Sequence, residues 1–363
     1  MGVKNRQTLS LLLFVVIAVM VMVMPTAFLL EMPGRVLEVS GPGTNEDIIS
    51  IDGAQTYPSD TTLYMTTVAS SGSASMGATS VEIVGGILNP QWQVLPVRAA
   101  YPEKISSEDQ KERGVLQMEN SQSSAEIIAL EKLGHTVTMT LTVSTVPEDS
   151  PAFGKLKEGD ILRSITSGDE RGKGSSYIDF VSVLDRTPVG TDVTVAYERD
   201  GKEEETVIKT GKNEGADGQA LPGSRLGIGL TIGDVKSDVT IDFSLEDVGG
   251  PSAGTMFALG IYDELTKGSL GGKASIAGTG TISLNGDVGK IGGIEHKMRG
   301  AADMGVEYFL APAANCDDVA GNVPKGMHVY MIATFDDAIE AVEAIGNGKT
   351  ENLTTCESYI LKK

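Results

Sequence analysis

The chain has 363 residues, 40% hydrophobic and 21% charged, with a formal net charge of -20 at pH 7. That length calls for more than one core, and the balance of apolar and charged residues is that of folded, water-soluble material rather than a disordered chain. So acidic a chain is repelled by nucleic acid and by anionic membrane surfaces, which argues against either as its main partner.

The first element is an uncharged run from Leu9 to Leu30, LSLLLFVVIAVMVMVMPTAFLL. As a helix it is about 33 Å long, enough to cross a bilayer. Lys4 and Arg6 precede it and Glu31 follows. The positive-inside rule then leaves residues 1–8 in the cytoplasm and the rest outside, as a single-pass protein of the cell membrane. The run is longer than the apolar core of a signal peptide and lacks a convincing Ala-x-Ala site, so an uncleaved anchor over 9–30 is expected. Met32 to Gly53 is turn-rich. TTLYMTTVAS (Thr61–Ser70) reads as a β-branched strand, and loops then lead to a helix ending in SAEIIAL (Ser124–Leu130). Residues 31–120 carry no nameable chemistry and are expected to support the folded units beside them.

From residue 121 to 211 the texture changes to short strands and turns: HTVTMTLTVSTV, SPAFGKLKEGDILRSI and DFVSVLDRTPVGTDVTVAYERDG. The combination of Ser150-Pro151-Ala152, Gly154-Lys155-Leu156, Gly159-Asp160-Ile161-Leu162, a short helix over Asp179–Asp185 and a strand closing before Arg199-Asp200-Gly201 resembles a PDZ domain. The resemblance implies a β-rich fold that adds a peptide to a sheet edge and holds its C-terminal carboxylate on backbone amides. Gly134-His135 matches the carboxylate-binding loop only in part. GKNEGADGQALPG (Gly211–Gly223) reads as a polar, glycine-rich connection.

Next comes DVGGPSAG, Asp247 to Gly254. Pro251 suits the first position of a helix, and Met256, Phe257, Gly260, Ile261 and Leu265 recur at helical spacing. Ser252 then lies in the first turn, where free N–H groups and the positive dipole end can hold an oxyanion. Gly250, Pro251 and Ala253 are the candidates for the backbone that holds an oxyanion or a substrate strand, and Gly249, Gly250 and Gly254 leave room for one. These eight residues alone also fit an ordinary capped helix.

A nucleophilic serine needs a base, and the three histidines are His135, His296 and His328. On the helix GIEHKMRGAADMG (Gly293–Gly305), Ile294, Met298, Ala301, Ala302, Met304 and Gly305 gather on one side. Glu295, His296, Arg299 and Asp303 gather on the other. Lys297 falls on the apolar arc and His296 on the wet face, so the pattern buries the lysine, and burial makes a lysine a usable base. A penicillin-binding-type acyl enzyme, a third reading, would need Ser-x-x-Lys on one helix, and Ser252 has no lysine at the third position.

Taken together, Gly250–Gly254, Gly278-Thr279-Gly280, a hairpin turning at Asn285-Gly286, Ile291-Gly292-Gly293-Ile294 leading to Lys297, Phe309-Leu310-Ala311-Pro312 and Asn315 resemble the proteolytic domain of Lon proteases. The resemblance implies an α/β proteolytic domain over 224–346 with a tail at 347–363. It also implies a serine endopeptidase with Ser252 as nucleophile and Lys297 as base, Thr279 orienting the lysine, no cofactor or metal, and hexameric rings. Two features depart from the family. Gly249 stands where many Lon proteases carry an acid, with Glu246 and Asp247 further back, and no G-x-x-x-x-G-K-[ST] phosphate loop occurs, since Gly286–Lys290 has neither its spacing nor its final hydroxyl. The expectation is thus an α+β protein: a membrane-anchored, PDZ-containing, ATP-independent Lon-like peptidase of bacteria that cuts unfolded or flexible polypeptides. An inactive membrane-tethered PDZ adaptor or chaperone-like binding protein is the alternative. Cys316 and Cys356 are either bridged or two buried thiols.

Overall fold

A computed structural model describes residues 3–42, 48–101, 106–214, 220–245 and 248–361. The helices used below are α1 (Val3–Val23), α2 (Ser80–Leu88), α3 (Ser107–Lys132), α4 (Tyr177–Arg186), α5 (Gly254–Leu265), α6 (Ile294–Asp303), α7 (Cys316–Val319), α8 (Phe335–Gly346) and α9 (Cys356–Ile360). The strands are β1 (Phe28–Ser40), β2 (Thr62–Ser71), β3 (Gln93–Pro96), β4 (Thr138–Thr145), β5 (Ile161–Ser167), β6 (Glu170–Lys173), β7 (Asp192–Arg199) and β8 (Lys202–Lys209). They continue as β9 (Gly211–Glu214), β10 (Ala220–Arg225), β11 (Gly229–Lys236), β12 (Ser275–Gly278), β13 (Thr281–Ile282), β14 (Val288–Gly289), β15 (Tyr308–Pro312) and β16 (His328–Ile332). The chain groups into two units, one of residues 1–50, 56–122 and 242–363, the other of 51–55 and 123–241.

The first unit is built on a six-stranded mixed sheet in the order β16-β15-β12-β2-β1-β3. β2, β12, β15 and β16 run parallel, while β1 pairs antiparallel with β2 and β3. Successive side chains point to opposite faces. Ala277 therefore joins the cluster of Ile294, Met298, Ala301 and Phe309 under α6, whereas a Cβ on its neighbour Gly278 would meet Met256 of α5. The sheet is thus sandwiched between α6, which carries Lys297, and α5, which begins just after Ser252. The turn at Asn285-Gly286 is present between the antiparallel strands β13 and β14, with Gly286 at φ +82°. Cys316 and Cys356 form a disulfide between α7 and α9, both ends buried.

The N-terminal reading needs correcting in two places. The apolar run is not one helix over 9–30: α1 stops at Val23, ahead of Pro25, and Phe28 opens β1, with Leu29 and Leu30 each 1% exposed in the core. Among the described residues, no helix is long and apolar enough to cross a membrane. Among its described residues the segment after Met32, read as turn-rich, is mostly strand, because Pro33 and Gly34 sit at a register shift in the β1–β2 ladder. A bulge tolerates a proline and a bare glycine that a regular ladder does not.

The second unit holds a six-stranded antiparallel sheet, β11-β4-β5-β7-β8 with β6 off this path paired to β5, and α4 packs on β6. Its strands alternate buried and exposed residues, as in β7, where Val193, Val195 and Tyr197 face inward. The ladder runs on past residue 211 into β11, and the described ends of the glycine-rich stretch pair antiparallel as β9 and β10. β4 therefore lies between β11 and β5.

Candidate active site

Ser252, Thr279 and Lys297 converge at the carboxyl ends of the parallel strands, the edge where open α/β sheets place their sites. Thr279 directly follows β12. Lys297 stands on α6, which Gly293 starts at φ +64°, a conformation that favours glycine. Asn315 fixes the approach to that helix, because its side-chain amide accepts the Ile291 N–H and donates to the Ile291 carbonyl, both at 2.9 Å. Ser252 sits in a turn closed by the Gly254 N–H on the Pro251 carbonyl. The helix proper begins at Gly254, so Ser252 precedes the first turn instead of lying within it.

The Lys297 Nζ lies 2.8 Å from Ser252 Oγ, 3.0 Å from Thr279 Oγ1 and 2.8 Å from the carbonyl oxygen of Thr66 on β2. Lys297 is 3% exposed, and burial lowers its pKa to about 7. Thr279 Oγ1 donates to the Ser252 carbonyl at 2.9 Å, so toward the lysine it can only accept, and the Thr66 carbonyl likewise only accepts. A neutral amine with both N–H groups on these two acceptors turns its one lone pair to Ser252 Oγ. The arrangement is therefore set to take a proton from the serine.

Thr66 has no sequence signal: it acts through a backbone carbonyl, 231 positions from Lys297. His296 is a correction. It lies on the face read as wet, yet it is 3% exposed, with Gln91 backbone against its ring, and burial lowers its pKa. The Pro90–Gln91 turn covers that face, held by Arg299 Nη1 donating to the Pro90 carbonyl at 3.2 Å. Met304, read as part of the apolar side, is 55% exposed.

Of the oxyanion candidates, Pro251 has no N–H, and the Gly250 N–H is engaged by the Gly114 carbonyl at 2.9 Å. The amides of Ser252 and Ala253 have no acceptor among the described residues. Glu246 and Asp247 lie outside the described residues. At Gly249, where an acid was expected, a Cβ would approach the Gly114 backbone to 3.3 Å, so α3 leaves little room for a side chain there. In the second unit, His135, beside the partial carboxylate-loop match, has Nδ1 3.1 Å from Asp238 Oδ1, which lowers the Asp238 pKa.

Residues 245–345 match the family model described as Lon protease (S16) C-terminal proteolytic domain. Lon protease 1 of Sorangium cellulosum is 37% identical over 93 residues, which cover 25% of this chain and 11% of that protein. Lon protease 2 of Bacillus subtilis is 31% identical over 124 residues, covering 33% of this chain and 22% of that protein. The chain thus spans well under a third of the length of these curated relatives. Among solved structures, the PDZ domain of an SdrC-like protein from Listeria monocytogenes is similar at 27% identity and a TM-score of 0.21, covering 25% of this chain and 85% of that one. The matched stretch, residues 245–345, holds the whole Ser252–Thr279–Lys297 constellation, so the similarity to the Lon-type (S16) proteolytic domain includes the entire candidate site.

Proposed function

We propose that the chain is an ATP-independent, membrane-attached endopeptidase of unfolded or flexible polypeptides, working through a Ser252–Lys297 dyad. The observation that carries this reading is a lysine 3% exposed with its Nζ 2.8 Å from a serine hydroxyl. Neutral Lys297 takes the Ser252 proton as Oγ attacks the scissile carbonyl carbon. The tetrahedral oxyanion faces the amides of Ser252 and Ala253. As the C–N bond breaks, the Lys297 ammonium protonates the leaving amine, and an acyl-Ser252 remains. Water, deprotonated by the same lysine, then releases the second product and restores the serine. Thr279 holds the amine in line throughout.

The other parts of the reading rest on separate features. With no phosphate loop in the sequence, no ATP-driven unfolding precedes cleavage, and folded substrates resist. Attachment to a membrane is supported by α1, on which Leu9, Leu11–Ile17 and Val19–Val23 are exposed apolar side chains. The PDZ-like unit selects or restrains substrates by binding a peptide C-terminus.

The test is casein cleavage by the purified full chain. Ser252→Ala is expected to lower the rate at least about 1,000-fold, and added ATP to leave the wild-type rate unchanged. Undiminished cleavage by Ser252→Ala overturns the dyad.

A further inference from the structure

The loop that carries Ser252 is held from outside the matched stretch of residues 245–345. Two points on α3 do this. The Gly250 N–H donates to the Gly114 carbonyl at 2.9 Å, and Ser121 Oγ donates to the Pro251 carbonyl at 3.0 Å. Gly114 and Ser121 are two helical turns apart and share one face of α3. Bare glycines allow the approach on both sides of the serine. A Cβ on Gly249 would come within 3.3 Å of the Gly114 backbone, and one on Gly254 would lie 2.7 Å from Ser121 Oγ. The same helix, through Lys111, Val115 and Met118, walls a cleft of about 840 Å³ whose lining continues onto Val248, Gly249 and Gly250.

The peptide group is planar and trans, so fixing a carbonyl also fixes the N–H of the next residue, which points the opposite way. Ser121 holds the Pro251 carbonyl and thereby aims the Ser252 N–H. Gly114 does the same for the peptide plane between Gly249 and Gly250. We propose that α3 is a working part of the active site, with Ser121 as a positioning residue that aims the Ser252 amide at the oxyanion. This rests on the peptidase reading above and goes beyond it, because it places a required residue outside the proteolytic domain.

The experiment is peptide hydrolysis by full-length Ser121→Ala and Gly114→Leu, with rates expressed per Ser252 titratable by a fluorophosphonate. Misaiming one oxyanion donor is expected to lower kcat per titrated site by about 10- to 100-fold, a fraction of the loss when such a donor is removed. KM stays within about threefold, and the midpoint of the pH–rate profile stays where Lys297 sets it. A merely structural role lowers the number of titratable sites and leaves kcat per site unchanged, and that result in Ser121→Ala overturns the proposal. Should Ser121→Ala not fold, Gly114→Leu decides alone: its side chain pushes on Gly249 and Gly250, and an unchanged kcat per site overturns the proposal equally. A wild-type chain with no titratable Ser252 overturns the peptidase reading, and this proposal with it.

Discussion

At the scale of single residues, the proposed chemistry rests on Lys297 and its three partners. Removing the Thr279 hydroxyl frees one amine hydrogen and lets the lone pair swing from Ser252. Thr279→Val is therefore expected to lower kcat about 10- to 100-fold, the cost of a small misalignment, and Thr279→Ser to restore most of it. Steady-state kinetics of the two variants checks this, and equal activity in Thr279→Val and wild type contradicts it. The residues of this site were unevenly legible. Ser252, Thr279 and Lys297 each sit in a local motif with its own periodicity or glycine pattern. Thr66 and Ser121 reach the site through one atom each, from elements far away in sequence, and no local pattern marks such a residue. His296 was misread because a helical wheel distinguishes one buried face, whereas α6 has the sheet on one side and the Pro90–Gln91 turn on another.

At the scale of elements, the strands and helices of the proteolytic domain follow from strong signals: a proline and glycines before α5, Asn-Gly in the β13–β14 turn, an apolar run for β15. The elements around it were harder to read. β1 contains Pro33 and Gly34, which read as a turn, and only pairing with β2 shows that a bulge absorbs them. β11 looks like the start of the next domain but pairs with β4, a partner more than 80 residues earlier in the chain. The disulfide was undecidable from spacing. It now closes α7 onto α9 across a sequence separation of 40 residues, for which chain entropy gives roughly 4 kcal/mol at 25 °C. Replacing both cysteines with serine should lower the unfolding free energy by about 2–4 kcal/mol in urea titrations with no change in slope. An unchanged midpoint counts against the bridge as a stabilising element.

At the scale of the whole molecule, the boundary between the apolar helix and the folded chain lies at about residue 24. An anchor over 9–30 predicts that a chain starting at residue 31 folds. Instead Leu29 and Leu30 are core residues of β1, and Thr26 donates through both its N–H and Oγ1 to the Ala78 carbonyl. A chain starting at residue 25 is therefore expected to be monodisperse with a sharp thermal transition, and one starting at residue 31 to lose several kcal/mol, since burying two leucines contributes about 1.5–3 kcal/mol each. Equal melting curves for the two contradict the placement of β1. The truncation at residue 25 also frees the peptidase from α1, which makes it the form for the decisive measurement, the rate of covalent labelling of Ser252 by a fluorophosphonate between pH 5 and pH 9. A lysine whose pKa is lowered to about 7 is neutral above that pH and protonated below it, so base strength is lost as pH falls through about 7. The labelling rate should rise with pH through a midpoint near 7 and vanish in Lys297→Met. A flat profile, or undiminished labelling in Lys297→Met, contradicts a proton transfer from Ser252 to Lys297.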